Sequence, residues 1–371
     1  MKIAIGPIEG YYGGAAQHIL NIIKNSSHQF DKIEIPRYLK EWGKFFRKYI
    51  LPIQEKLPHS LEHSDKRFDM YGLQKYLDVT GFIQSRFYLP RYNVVHLHGY
   101  PYWEKIYDTR TINSVFTVHN LYRKEDFLKN WERTIEILTK KMLNVCRGSK
   151  VVISVAKWLQ KTMREEYGIK SIYIPNGVNL EEFDKRDGEA FRKKFGVDDD
   201  FYLFVGRATK YKRPELFVAL AEKMPSRKFL MIGRGLTKKE LVNYVGKRLP
   251  QNLLCIGEPE RKDVVNAFDA CRVFILPSTN ETFGIVFLEG MLSQKPVIGA
   301  NHLGPAEIIN HGKTGFLFEP ENLEDLLIQA EYAWNAQEVG LAGREEVERS
   351  YDWKKIVSQI DEVYENVERN L

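Results

Sequence analysis

Glu281 and Glu289 stand eight positions apart in Glu281-Thr282-Phe283-Gly284-Ile285-Val286-Phe287-Leu288-Glu289, where a polar loop runs into an apolar stretch. If a helix begins near Gly284, Glu281 sits at its mouth and Glu289 about a turn and a half inside. A carboxylate at a helix N-terminus is favoured by the helix dipole and can act simply as a cap. Glu289, behind an apolar run, can be a buried and satisfied polar group. Neither of these plain readings explains why both carboxylates should face one cleft. A second cluster, Gly206-Arg207-Ala208-Thr209-Lys210-Tyr211-Lys212-Arg213-Pro214, puts four basic residues between a strand end and a helix start. That chemistry suits a diphosphate, although a charge run is more often a solvated loop. A third, Gly10-Tyr11-Tyr12-Gly13-Gly14, follows the first strand, where glycines let backbone N–H groups approach an anion. It matches neither a P-loop nor a complete dinucleotide fingerprint, which argues against ATP and NAD. His119 closes Thr117-Val118-His119-Asn120, a polar end to an apolar strand. His96 and His98 alternate along another strand; the pair could ligate a metal, but one buried and one loop-facing histidine is the favoured expectation.

These residues need a scaffold that delivers loop ends to one place. Lys2–Gly6, Val94–Leu97, Val115–Val118 and Val151–Ser154 read as strands, as do Phe201–Val205, Lys228–Ile232, Leu253–Ile256, Val273–Leu276 and Val297–Ile298. Helical stretches lie among them, at Ala15–Lys24, Pro214–Lys223, Arg261–Ala270 and Phe287–Ser293. Alternation of strand and helix predicts an α/β fold with parallel sheets covered on both faces. Two such sets imply two doubly wound domains, with ligands at the carboxyl ends of the strands and a cleft between the domains. The turn-rich Pro175-Asn176-Gly177-Val178-Asn179 places the boundary near residue 180, giving domains 1–180 and 181–351. Residues 50–71 read as a long loop or short irregular helices.

Composition narrows the function. The chain has 371 residues, 43% hydrophobic and 28% charged, the balance of a folded soluble protein. No apolar run is long enough to span a bilayer, and the start lacks the pattern of a signal peptide. Three cysteines without a Cys-x-x-Cys spacing exclude a disulfide scaffold and disfavour zinc, so a cytoplasmic location is expected. Residues 1–150 hold 24 Lys+Arg against 15 Asp+Glu, a net +9, whereas the remainder nets −3. A basic first half suits an anionic partner. Nucleic acid is disfavoured, because no zinc-finger spacing, RNP-type aromatic motif or basic tail is present. Asp198-Asp199-Asp200 precedes a strand instead of ending one and is taken as solvated, not as a metal motif. Within 38–50, Leu39, Trp42, Phe46, Tyr49 and Ile50 fall at near-helical spacing with lysines and arginine between them. That pattern fits either an amphipathic helix lying on anionic lipid or a surface helix packed on the core.

The ordered set of motifs resembles the retaining glycosyltransferase family 4, built on the GT-B fold of two Rossmann-like domains. The resemblance rests on Glu281-x₇-Glu289 behind strand Val273–Leu276, on Gly206-Arg207…Lys212, on the junction Pro175–Val178, and on Lys295-Pro296-Val297-Ile298-Gly299. It implies transfer of a sugar from a UDP-, GDP- or ADP-linked donor to a glycan, glycolipid or phosphorylated acceptor, with no metal and no cofactor beyond the donor. Residue by residue it implies that Gly13 and Gly14 offer amides to the donor phosphates and that Arg207 and Lys212 hold the diphosphate. Glu281 would meet the donor sugar and Glu289 the ribose. Phe283, Gly284 and Ile285 would bring backbone amides to the donor, and His119 would lie beside the reacting carbon. The helix within 352–371 would cross back onto the first domain. Three positions depart from the family's pattern: Arg213, Thr282 and Leu303 stand where glycine is usual. Two other classes compete, a nucleotide-sugar epimerase of the same fold and a non-catalytic nucleotide-sugar-binding protein.

Overall fold

A computed structural model describes residues 1–6, 14–33, 89–98, 112–121 and 132–369. Gly13 and the segment 38–50 lie outside the described residues. So does the expected irregular stretch 50–71.

The first sheet holds strands β1 (Lys2–Gly6), β2 (Gln29–Lys32), β3 (Val94–His98), β4 (Ser114–Val118), β5 (Val151–Ser154) and β6 (Ile172–Tyr173). Their order is β2-β1-β3-β4-β5-β6 and the pairings are all parallel. Helices α1 (Gly14–Asn25), α2 (Glu132–Gly148) and α3 (Lys157–Glu165) belong to this lobe. Then come α4 (Leu180–Phe183) and α5 (Gly188–Phe195). The second sheet holds β7 (Phe201–Val205), β8 (Lys228–Ile232), β9 (Leu253–Gly257), β10 (Val273–Leu276), β11 (Val297–Ala300) and β12 (Phe316–Phe318). It runs β12-β11-β10-β7-β8-β9, again parallel throughout. Its helices are α6 (Pro214–Lys223), α7 (Lys238–Val245), α8 (Arg261–Ala270), α9 (Ile285–Leu292), α10 (Leu303–Ile308), α11 (Leu323–Asn335) and α12 (Gln337–Ser350). A last helix, α13 (Trp353–Arg369), follows.

Central strands with both faces covered need apolar residues at every position, not alternately. Phe201–Phe204 and Val273–Leu276 meet that demand, all of them buried. In the second sheet the strand order reverses between β7 and β10, the place where open α/β sheets open a crevice at their carboxyl ends. The Gly206–Arg213 loop leaves β7 there and the Ser278–Gly284 loop leaves β10.

The last helix is strongly two-faced. Ile356, Val357, Ile360 and Tyr364 are buried together with Ile3, Ile5, Ile19 and Ile22, so α13 packs on β1 and α1 of the first lobe. The chain therefore crosses between lobes twice, at Pro175–Val178 and at Tyr351–Trp353. The crossings touch. Val178 N–H donates to the Tyr351 carbonyl at 2.8 Å, and a Cβ on Gly177 would meet the Trp353 ring at 2.8 Å.

The exit of β7 is equally tight. Gly206 N–H donates to the Ile232 carbonyl at 2.9 Å, and Gly233 has φ +142, outside the range of ordinary side chains. A Cβ built on Gly233 would stand 1.6 Å from the Gly206 carbonyl oxygen. Gly233→Ala should therefore lower the unfolding free energy by about 3 kcal/mol. Urea denaturation measures it, and an unchanged midpoint would contradict this close approach.

Candidate active site

At the switch point the two loops are knitted through one carbonyl. The Tyr211 carbonyl accepts from Thr279 N–H at 2.8 Å and from the Ser278 hydroxyl at 2.9 Å. That brings the Lys212 ammonium onto the Glu281 carboxylate, with which it forms an ion pair. Both side chains are mostly buried, 14% and 17% exposed. The plain alternatives for these residues, a solvated loop lysine and a capping glutamate, are thereby set aside. Gly284, not Glu281, is the N-cap of α9, and no side chain caps that helix. Phe287 N–H turns back to the Gly284 carbonyl at 2.9 Å, and the amides before it point outward from the helix start, which suits an anion. Gly284 has φ +92, and Phe283 beside it is buried against Tyr351. Arg207 is exposed, and its guanidinium donates to the Tyr211 hydroxyl at 3.0 Å. The ring of Tyr211 also carries the Lys212 ammonium, 5.7 Å from its centroid.

Glu289 is engaged from another side. The Arg261 guanidinium of α8 lies 2.7 Å from Glu289 and 2.8 Å from Glu182 of α4. Burial opposes the Arg261 charge, but the two carboxylates outweigh it and push its pKa up. Sequence reasoning did not single out Arg261 or Glu182. Arg213, at φ +54, and Leu303, at φ +51, are left-handed. Their substitution for glycine is thus a backbone matter. Arg213 holds its strained position through Glu215 at 3.0 Å and Glu321 at 2.6 Å.

In the first lobe, the carboxyl end of the sheet carries a group of histidines. Gly14 opens α1, and His18 follows one turn later. The expectation that one of His96 and His98 faces the loop is wrong, since both are fully buried. The physical reason is that positions two apart share a face, and β3 is an interior strand covered on both faces, so the two rings lie together, 4.0 Å between centroids. His98 Nδ1 and His119 Nε2 lie 3.1 Å apart. His96 is bonded through Nδ1 to the Tyr364 hydroxyl at 2.5 Å and through Nε2 to Thr117 Oγ1 at 2.8 Å. His18 Nδ1 meets Asn176 Oδ1 at 2.7 Å, which ties α1 to the first inter-lobe crossing. Among the described residues, His18, His98 and His119 bring ring nitrogens within 4.8 Å of one another, close enough to share a metal ion.

Burial, with like-charge neighbours adding to it, holds His96, His98 and His119 well below the ordinary histidine range, and His18 falls to about 4. Folded-state values below the ordinary 6.5 mean that the unfolded chain takes up protons first as pH falls. The stability these groups contribute is complete above about pH 6.5 and is lost as pH falls towards their lowered folded values, for His18 about 4, each costing up to about 1.4 kcal/mol per pH unit. Melting temperature should drop steeply between pH 7 and pH 5; a flat profile would show that the cluster is solvated.

Comparison with known proteins agrees with this architecture. Residues 186–339 match the family "Glycosyl transferases group 1" and residues 12–182 match "Glycosyltransferase Family 4". A glycosyltransferase of Methanocaldococcus jannaschii is 30% identical over 59% of the chain and 60% of its own length. The sulfoquinovosyl transferase of Arabidopsis thaliana is 34% identical over 43% of the chain and 32% of its own. The chain thus spans less than two thirds of these relatives. Among solved structures, a glycosyltransferase from Rickettsia africae superposes with a TM-score of 0.71 at 21% identity, covering 100% of this chain and 99% of the other. Anabaena HepE in complex with UDP-glucose superposes with a TM-score of 0.72 at 18% identity, covering 99% and 100%. With two parallel doubly wound lobes and both family matches along its length, the chain belongs to the GT4-type glycosyltransferases of GT-B fold.

Proposed function

We propose that this protein is a retaining glycosyltransferase that moves a sugar from a nucleoside-diphosphate donor without a metal. The observation carrying this is the Lys212–Glu281 pair at the switch point of the second sheet, with Arg207 on the same loop. When the donor's glycosidic bond breaks, negative charge grows on the departing diphosphate. Arg207, Lys212 and the uncapped amides of α9 are the groups suited to receive it. Glu281 keeps Lys212 oriented and offers an acceptor to the donor sugar's hydroxyls. Glu289 takes the ribose with the oxygen that Arg261 leaves available, and His119 lies beside the reacting carbon. Gly13 and Gly14 supply amides to the phosphates from the first lobe.

A double displacement needs a second carboxylate about 5–5.5 Å from the nucleophile. Glu289 is bound to Arg261 and serves another role, so front-face attack is preferred. The leaving phosphate then helps to take the acceptor's proton, and configuration is retained. Support for a nucleotide-sugar donor comes from HepE, whose structure contains UDP-glucose. For the acceptor, one relative, 25% identical, is named a processive diacylglycerol alpha-glucosyltransferase. That fits the net charge of +9 in residues 1–150 and favours an acceptor at a lipid surface. No helix among the described residues is long and apolar enough to cross a membrane, so attachment would be peripheral.

A panel of nucleotide sugars tests the donor by thermal shift, followed by assay of free nucleoside diphosphate. An altered sugar with no release would support an epimerase instead, and binding alone a non-catalytic protein. With the active donor, Lys212→Ala and Arg207→Ala should each cut turnover about 10²–10³-fold and change donor affinity much less. Activity should survive chelation by EDTA; its loss would assign an ion to His18, His98 and His119. Anionic vesicles should sediment the protein at low salt and release it at high salt, and failure to bind at low salt removes the membrane surface from the proposal.

A further inference from the structure

The loop that carries Glu281 is held from three sides, and one of the holds comes from the other lobe. The side chain of Glu281 is paired with Lys212. Its carbonyl accepts from Gly304 N–H, at the start of α10, at 3.0 Å. The next carbonyl, that of Thr282, accepts from the indole N–H of Trp158 at 2.8 Å. Trp158 belongs to α3, a helix of the first lobe.

How α3 reaches this loop is visible at its N-terminus. Its N-cap is Ala156, which has no side chain able to cap. The missing acceptor comes from the other lobe. The Glu307 carboxylate of α10 takes Lys157 N–H at 2.9 Å on one oxygen and Trp158 N–H on the other. A carboxylate at that position satisfies two otherwise unpaired donors and meets the positive end of the helix dipole. The helix that bears Glu307 is pressed equally hard against the Glu281 loop. A Cβ on Gly304 would fall 2.6 Å from the Phe283 carbonyl oxygen and 2.7 Å from that of Glu281. Leu303 takes a left-handed backbone to begin α10 there. Loop, α10 and α3 thus form a closed ring of contacts, of which two sides cross between the lobes.

We propose that Glu307 and Trp158 are positioning residues for Glu281. Glu307 docks the first lobe's α3 on the second lobe, and docked α3 presents the Trp158 N–H that fixes the Thr282 carbonyl. Glu281 is then set for the donor sugar only while the lobes are docked. This rests on the role given to Glu281 above.

The test uses the full chain and the variants Trp158→Phe, Glu307→Gln and their combination. Trp158→Phe keeps an aromatic body and removes a single N–H. Glu307→Gln removes the charge and leaves one acceptor for two donors. Hydrogen exchange of the amides in 279–287 should quicken about tenfold in each variant, with exchange in the central strands unchanged. With the donor that the panel selects, nucleoside diphosphate release should fall about tenfold in kcat, with affinity for that nucleoside diphosphate held within about twofold. The double variant should be no slower than the slower single one, since both residues act through one junction. Unchanged exchange in the loop, or effects that multiply in the double variant, would overturn the proposal. If Glu307→Gln fails to fold, Trp158→Phe decides alone. An unmodified protein that binds and turns over no nucleotide sugar of the panel refutes the donor reading, and the exchange measurement still decides whether the inter-lobe contact holds the loop.

Discussion

Lys212 and Glu281 lie 69 residues apart in sequence and meet because the loops after β7 and β10 share the Tyr211 carbonyl. A mostly buried ion pair of this kind tolerates no half measures. With either partner removed, the other charge stays desolvated without compensation, a cost of several kcal/mol. With both in place, a cation and a carboxylate stand ready at the crevice where a sheet changes direction. Most of the second lobe serves this arrangement. Buried strands fix the loop roots, Gly233 lets β7 and β8 end in contact, and the left-handed Arg213 turns the chain from the lysine into α6.

Much of this was legible in the residues. Continuous apolar runs such as Phe201–Val205 and Val273–Leu276 reveal central parallel strands, and the glutamate spacing with the Gly206–Lys212 segment locates the crevice. The short outer strands were not legible. Gln29–Lys32 is polar, and Ile172–Tyr173 has only two residues, too few to show a period. The expectation of one buried and one loop-facing histidine failed because positions two apart on a strand share a face, so His96 and His98 lie together on one covered side, their ring centroids 4.0 Å apart. The partners Arg261 and Glu182 were invisible for another reason. Each is an ordinary surface charge in its own helix, and only the packing of α8, α4 and α9 makes them a network with Glu289.

The three departures from the family's glycines show what a sequence pattern encodes. At Arg213 and Leu303 the backbone is left-handed, the conformation that the common glycine adopts most freely, and this chain keeps it with ordinary side chains. Arg213 does so with two acidic partners. Thr282 differs, since it is the carbonyl of that residue, not its side chain, that Trp158 engages.

The two places where the chain passes between lobes lie side by side, bonded from Val178 to Tyr351 and wedged by Gly177 against Trp353. Paired tethers at one edge behave like the leaves of a door hinge. They permit swinging about the line that joins them and resist both twist and sliding. In any such swing displacement would grow with distance from that line, so groups beside it, His18 among them through Asn176 and Trp353, would keep their surroundings.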